Sequence, residues 1–135
     1  MSEIGNSIFK GAHYSLEFTV SDQLMKQYSI LSGDINELHV NVEYAKEKNF
    51  DGVVVYGGLI VSNLSKLIGM YLPGGGSLWN NLKISFMKPL MVNKKAIINA
   101  EIIHVSESTS TVEIKFNIIS DDKVISRGSA GVSVI

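Results

Sequence analysis

From Gly57 to Tyr71 the chain reads as one helix with almost no polar side. Leu59, Ile60, Val61, Leu64, Leu67, Ile68 and Tyr71 cover most of its circumference. Gly57-Gly58 opens this helix, and Pro73 followed by Gly74-Gly75-Gly76 stops it. Such a helix is expected to be buried on nearly every side. The apolar stretch from Leu59 to Leu72 is only 14 residues long and contains Asn63, Ser65 and Lys66, too short and too polar to span a bilayer. It must be wrapped by protein, and the remaining sequence supplies strands for the wrapping.

Those strands are read from period-two patterning. Val112, Ile114, Phe116 and Ile118 alternate with Thr111, Glu113, Lys115 and Asn117, the pattern of a half-buried strand. Asp121-Asp122 makes a turn, and Val124 to Val134 follows as a second strand. Its even face, from Val124 and Ser126 through Gly128 and Ala130 to Val134, is small enough for a helix to approach. Ala96 to Val105 and Ser77 to Lys88 are two more strands, the latter turning Leu82, Ile84 and Phe86 one way. Residues 13–20 form a first strand. The connections between the last strands are too short for crossovers, so the pairing is antiparallel. Ser21 caps a short helix from Asp22 to about Leu31, and Asn41 caps another over residues 41–49. The expected fold is α+β, one long central helix wrapped by an antiparallel sheet of about five strands.

Composition narrows the function. The 135 residues suit one domain, 1–135, and 45% hydrophobic against 19% charged residues exclude intrinsic disorder. A net charge of −1 carries no signature of nucleic-acid or anionic-membrane binding. With no cysteine there is no disulfide framework, thiolate nucleophile or thiolate-bound metal, and the N-terminus lacks the basic start and apolar core of a secretory signal. A cytoplasmic protein without a metal is expected.

Chemistry points to Ser32-Gly33-Asp34-Ile35-Asn36-Glu37-Leu38-His39. Asp34 and His39 are five apart, a spacing that sends them to different sides of a regular helix or strand. They converge only on irregular backbone, which Gly33 permits. A carboxylate beside an imidazole can grip one water and move its protons. The plainer alternative is an Asx-turn at Asp34 with His39 merely packed. His13 and His104 fall on strands without acidic partners and read as solvated edge residues. Lys83, Lys88, Lys94 and Lys95 read as strand-edge lysines, and Gly74-Gly75-Gly76 as a turn.

The 32–39 segment, followed by Tyr44-Ala45, resembles the signature of the MaoC-like (R)-specific enoyl-CoA hydratases: Asp-x-Asn-Pro-apolar-His, then an aromatic residue and Ala. Val54-Val55-Tyr56-Gly57-Gly58-Leu59 stands where that family has His-Gly-Met-Leu opening its central helix. Leu72 to Ser77 and Ile84 to Leu90 match two further landmarks in order. This chain departs at Glu37 for the proline, Asn41 for Asp, Tyr56 for His, Gly58 for Met, and Asn93-Lys94 for Gly-Asp. Asp34, Asn36 and His39 are kept. The resemblance implies a single hot-dog domain and a homodimer or a dimer of dimers.

The activity it implies is (R)-specific hydration of a trans-2-enoyl thioester, or the reverse dehydration. CoA or phosphopantetheine on an acyl carrier protein would enter with the substrate, and no separate cofactor is implied. Asp34 would accept the water proton and His39 would orient that water. Asn36 would fix the loop or a carboxylate oxygen. The Gly57 N–H, at the positive end of the central helix, would receive the thioester oxygen. Tyr56 and Gly58 lie where the thioester is expected, and Ser62 and Ser65 border the acyl channel unless they bond back to the preceding turn. A hot-dog thioesterase draws its carboxylate from the central helix region, yet residues 57–72 contain no Asp or Glu. A non-catalytic acyl-thioester binder is the other alternative, and it would not need both Asp34 and His39.

Overall fold

Alternating burial along the strands is what builds the sheet. The structure, a computed structural model, describes residues 8–135. Its elements are β1 (His13–Thr19), α1 (Asp22–Ser32), α2 (Glu37–Val40), α3 (Val42–Glu47), α4 (Gly57–Met70), β2 (Ser77–Phe86), β3 (Lys95–Ser106), β4 (Thr111–Ser120) and β5 (Lys123–Val134). The strands form one sheet in the order β1-β3-β4-β5-β2, every pair antiparallel. One row of register partners, Tyr14, Ala100, Phe116, Gly128 and Ile84, crosses all five strands. Ala100 and Phe116 in that row are buried, as are their even-numbered neighbours Ile98, Ile102, Ile114 and Ile118. They share a single core with Leu59, Ile60, Leu64, Leu67 and Ile68 of α4. This is the helix-and-sheet arrangement that the hot-dog resemblance implies. No helix among the described residues is long and apolar enough to cross a membrane.

Local signals set the element ends. Ser21 caps α1, its side chain accepting from Leu24 N–H at 3.2 Å. Asn41 caps α3 in the same way, accepting from Tyr44 N–H at 3.1 Å. Asp121 and Asp122 both hold positive φ (51° and 58°), the geometry of a two-residue hairpin turn between β4 and β5.

Four expectations need correction. First, α4 is not buried on nearly every side. Ser62, Ser65, Lys66, Gly69, Met70 and Tyr71 are exposed, because the sheet covers one face of the helix and the other is left open beyond its first turn, where Tyr28 lies against Gly58. Second, the even face of β5 does not begin at Val124, which is 40% exposed while Ile125 is 3% exposed. A register shift opposite Ile118 and Ile119 turns the strand over at that point, and alternation resumes from Ser126. Third, the helix expected over residues 41–49 is present, with Asn41 as its cap, but it is shorter and a further short helix precedes it. Two short helices, α2 and α3, meet at Asn41, and the second ends at Glu47. Fourth, the strand from Ser77 ends at Phe86 rather than Lys88, with Phe86 half exposed at the sheet edge.

Leu64 has no exposed surface and lies where α4 meets the sheet. Leu64→Ala should lower unfolding free energy by about 2–5 kcal/mol in urea titration. A loss below about 1 kcal/mol would mean that the helix is not anchored through this face.

Candidate active site

The loop after α1 is irregular, as Gly33 permits. Gly33 caps α1 in the left-handed region (φ 74°), so the chain turns away from the helix axis into Asp34. Asp34 then forms an Asx-turn, Oδ1 accepting from Asn36 N–H at 3.0 Å. Asn36 caps α2 by accepting from Leu38 N–H at 3.1 Å. The Asn36 main chain therefore holds the carboxylate, while its side chain holds the short helix that carries His39. The Asx-turn weighed for Asp34 is present, and it occupies only one carboxylate oxygen. Among the described residues, Oδ2 has no hydrogen-bond partner.

His39 is held as tightly. Its Nδ1 lies 2.6 Å from the Val54 carbonyl, which can only accept, so Nδ1 carries the proton and Nε2 is the free position. Val54 N–H returns a bond to Leu38 O at 3.1 Å, locking the end of α2 to the segment that leads into α4. The imidazole stacks on the Tyr56 ring, centroids 4.2 Å apart and planes 25° apart.

Tyr56 is the junction. Its side chain is 2% exposed, and its hydroxyl donates to the Asp34 carbonyl at 2.6 Å. One phenol thus meets Asp34 through its oxygen and His39 through its ring. Burial first, then the Asp34 carboxylate and Tyr28, push the Tyr56 phenol above the ordinary value of 10.0. Tyr56 also stands at the head of α4 without giving it a side-chain cap. Among the described residues, the Gly57 and Gly58 amides donate to no acceptor, so the helix presents free N–H groups beside this cluster.

The other expected residues divide. Gly57 lines an apolar groove of about 270 Å³ with Val55, Ile60, Phe86, Pro89 and Leu90. Its open side faces the Phe86 ring, 3.4 Å from where a Cβ would stand. Gly58 faces the other way, against Tyr28. Ser62 bonds back to Leu59 O at 2.7 Å, and Ser65 is exposed; neither is brought to the Asp34–His39 cluster. A second recess of about 430 Å³ reaches His39 between Ile35, Val40 and Met25. A larger recess, about 530 Å³, lies on the polar outer face of the sheet and is lined by none of these residues. Its size counts for less than the position of the smaller two, because it holds no part of the cluster. No group of three or more His, Asp or Glu side chains among the described residues is placed to hold a metal.

Two contributors were not legible in the sequence. The Val54 carbonyl fixes the His39 tautomer, and a main-chain atom has no residue-type signal. Tyr28 packs on Tyr56 with centroids 4.7 Å apart. Its position five residues before Gly33 was the available clue.

A raised phenol pKa means that the folded chain keeps the Tyr56 proton after an unfolded chain has lost it. The resulting stabilisation is complete below pH 10 and is lost as pH rises through the folded value. Melting temperature should therefore fall above pH 10 less steeply in Tyr56→Phe than in the unchanged chain. Parallel curves would show that Tyr56 titrates freely.

The described geometry has counterparts. The family described as MaoC like domain matches residues 4–123. The chain is 27% identical over 127 residues to the (R)-specific enoyl-CoA hydratase of Rhodospirillum rubrum, covering 94% of this chain and 88% of that protein. It is 32% identical over 80 residues to the (R)-specific enoyl-CoA hydratase of Aeromonas caviae, 59% of this chain and 60% of that one. The solved structure of the (R)-hydratase from A. caviae involved in PHA biosynthesis superposes with a TM-score of 0.91 at 25% identity, covering 97% of this chain and all of that one.

Proposed function

The chain belongs to the MaoC-like domain family, and on that premise we propose that it is an (R)-specific enoyl-thioester hydratase, or the dehydratase of the reverse reaction. The observation that carries this reading is the junction at Tyr56. It gathers Asp34 and His39 at the head of a helix whose first amides are free. The hydratases to which the chain is similar support the same activity.

Hydration places a hydroxyl on Cβ and a proton on Cα, while negative charge grows on the thioester oxygen. Asp34, through the oxygen left free by its Asx-turn, accepts the proton of the water. His39 orients that water at Nε2, because Nδ1 is committed to Val54. The thioester oxygen lies at the Gly57 N–H, where the end of α4 stabilises the developing charge. The acyl chain follows the apolar groove beside Gly57 and Phe86. Electrons and protons balance between substrate and water, so the reaction uses no cofactor. CoA and the carrier protein's phosphopantetheine share the chemistry that this site would bind. We place the enzyme in the cytoplasm as a homodimer. The β2 edge with exposed Leu78, Phe86 and Met87, and the uncovered face of α4, are the surfaces that a second copy would cover.

Asp34→Asn and His39→Ala should each lower turnover of a trans-2-enoyl-CoA by at least about 10²–10⁴ with little change in melting temperature. The double variant should be scarcely worse than the worse single. Following enoyl absorbance and free thiol in parallel separates hydration from thioester cleavage. An (S)-3-hydroxyacyl product, or thiol release without enoyl loss, would reject the reading. Sedimentation should give twice the chain mass of 14.8 kDa, and a monomer at micromolar concentration would count against the dimer.

A further inference from the structure

Tyr28 has no place in the mechanism above, yet contacts on both sides of Asp34 run back to it. Its carbonyl accepts from Ser32 Oγ at 2.7 Å, and Ser32 Oγ accepts from Asp34 N–H at 3.1 Å. Its ring lies against Tyr56, whose hydroxyl donates to the Asp34 carbonyl at 2.6 Å. The Asp34 main chain is thus gripped at its N–H through Ser32 and at its C=O through Tyr56. Both grips start from Tyr28, the first from its backbone and the second from its ring.

What seats the Tyr28 ring is the absence of a side chain at position 58. A Cβ on Gly58 would overlap the phenol oxygen and stand 2.6 Å from Cζ. The phenol therefore rests directly on the backbone of the first turn of α4, and α4 is fixed by its buried face. The Tyr28 hydroxyl has no hydrogen-bond partner among the described residues, so the shape of the phenol rather than a hydrogen bond makes the fit.

We propose that Tyr28 is a positioning residue and Gly58 its socket, together fixing the Asp34 loop against the head of α4. This sets the separation between the water-holding carboxylate and the thioester oxygen at Gly57, and so it rests on the hydration reading. Positions 28 and 58 are then interdependent, since no side chain fits at 58 while Tyr28 is seated. Displacing the loop disturbs the reacting geometry more than it disturbs binding, and a shift of 1 Å can cost about 10²-fold in rate.

The test is a cycle of Tyr28→Ala, Gly58→Ala and the double variant, assayed with trans-2-butenoyl-CoA. Gly58→Ala should lower kcat about tenfold or more with KM within about twofold. Added to Tyr28→Ala, it should change kcat by less than about twofold. Tyr28→Phe, which keeps the ring, should retain most of the turnover that Tyr28→Ala loses. An equal cost of Gly58→Ala with and without Tyr28→Ala, a loss carried by KM, or a Tyr28→Phe variant as slow as Tyr28→Ala overturns the proposal. If Gly58→Ala does not fold, the double variant should fold, because the overlap is gone; its failing alike overturns the proposal too. The Asp34 amide resonance supplies a readout independent of turnover. Gly58→Ala should shift it when Tyr28 is present and leave it in place when Tyr28→Ala is already made, and a shift in both backgrounds counts against the socket. An unchanged chain with no hydratase activity defeats the hydration reading alone, and the resonance still decides the coupling.

Discussion

The candidate site depends on a helix that cannot leave its sheet. Leu59, Ile60, Leu64, Leu67 and Ile68 face the inner side chains of the strands in one core. Moving α4 would return that apolar surface to water, at roughly 1.5–3 kcal/mol for each large side chain. The first turn of α4 is therefore a fixed reference, and the less regular segments are placed relative to it. Val54 and Val55 run into that turn, one bonded to the end of α2 and the other to Leu90. The loop that carries Asp34 meets it through Tyr56.

Much of this is legible in the sequence. Strict alternation at Val112–Ile118 marked the body of β4, which runs from Thr111 to Ser120, since a period of two with one buried face has a single solution. The extent of α4 and its one buried stripe followed from its apolar residues and its stop at Pro73. Failures came where the sequence pattern describes only one chain or one register. All-round apolarity could not tell a helix buried in its own chain from one whose second face is left uncovered. The register shift in β5 reversed the facing of Val124 and Ile125 without changing their residue types. At the site, the loop motif and Gly33 located Asp34 and His39. The contacts that hold them were hidden, because most of those contacts use main-chain atoms or partners distant in sequence.

The departures from the family pattern become intelligible in the same terms. Tyr56 is larger than the histidine it replaces, and it spans from the His39 ring to the Asp34 carbonyl. Gly58, in place of a methionine, leaves the volume that the Tyr28 phenol fills. Glu37 stands at the first position of α2, where proline fits because its missing N–H is not needed. A glutamate there instead gains from the positive end of the helix, so the change is mild.

The hold on the Asp34 loop consists largely of main-chain joints: the Tyr28 carbonyl, the Asp34 N–H and C=O, the Asn36 N–H and the Val54 carbonyl. Such joints take no notice of which side chain their residue carries. Ile35 and Leu38 can therefore drift over generations without moving the carboxylate, provided the turn itself survives. The side chains that close the ring, Ser32, Asp34, Asn36, His39 and Tyr56 with Tyr28 behind it, lack that freedom. A lineage could rewrite much of this loop and still keep the Asp34 carboxylate where it is.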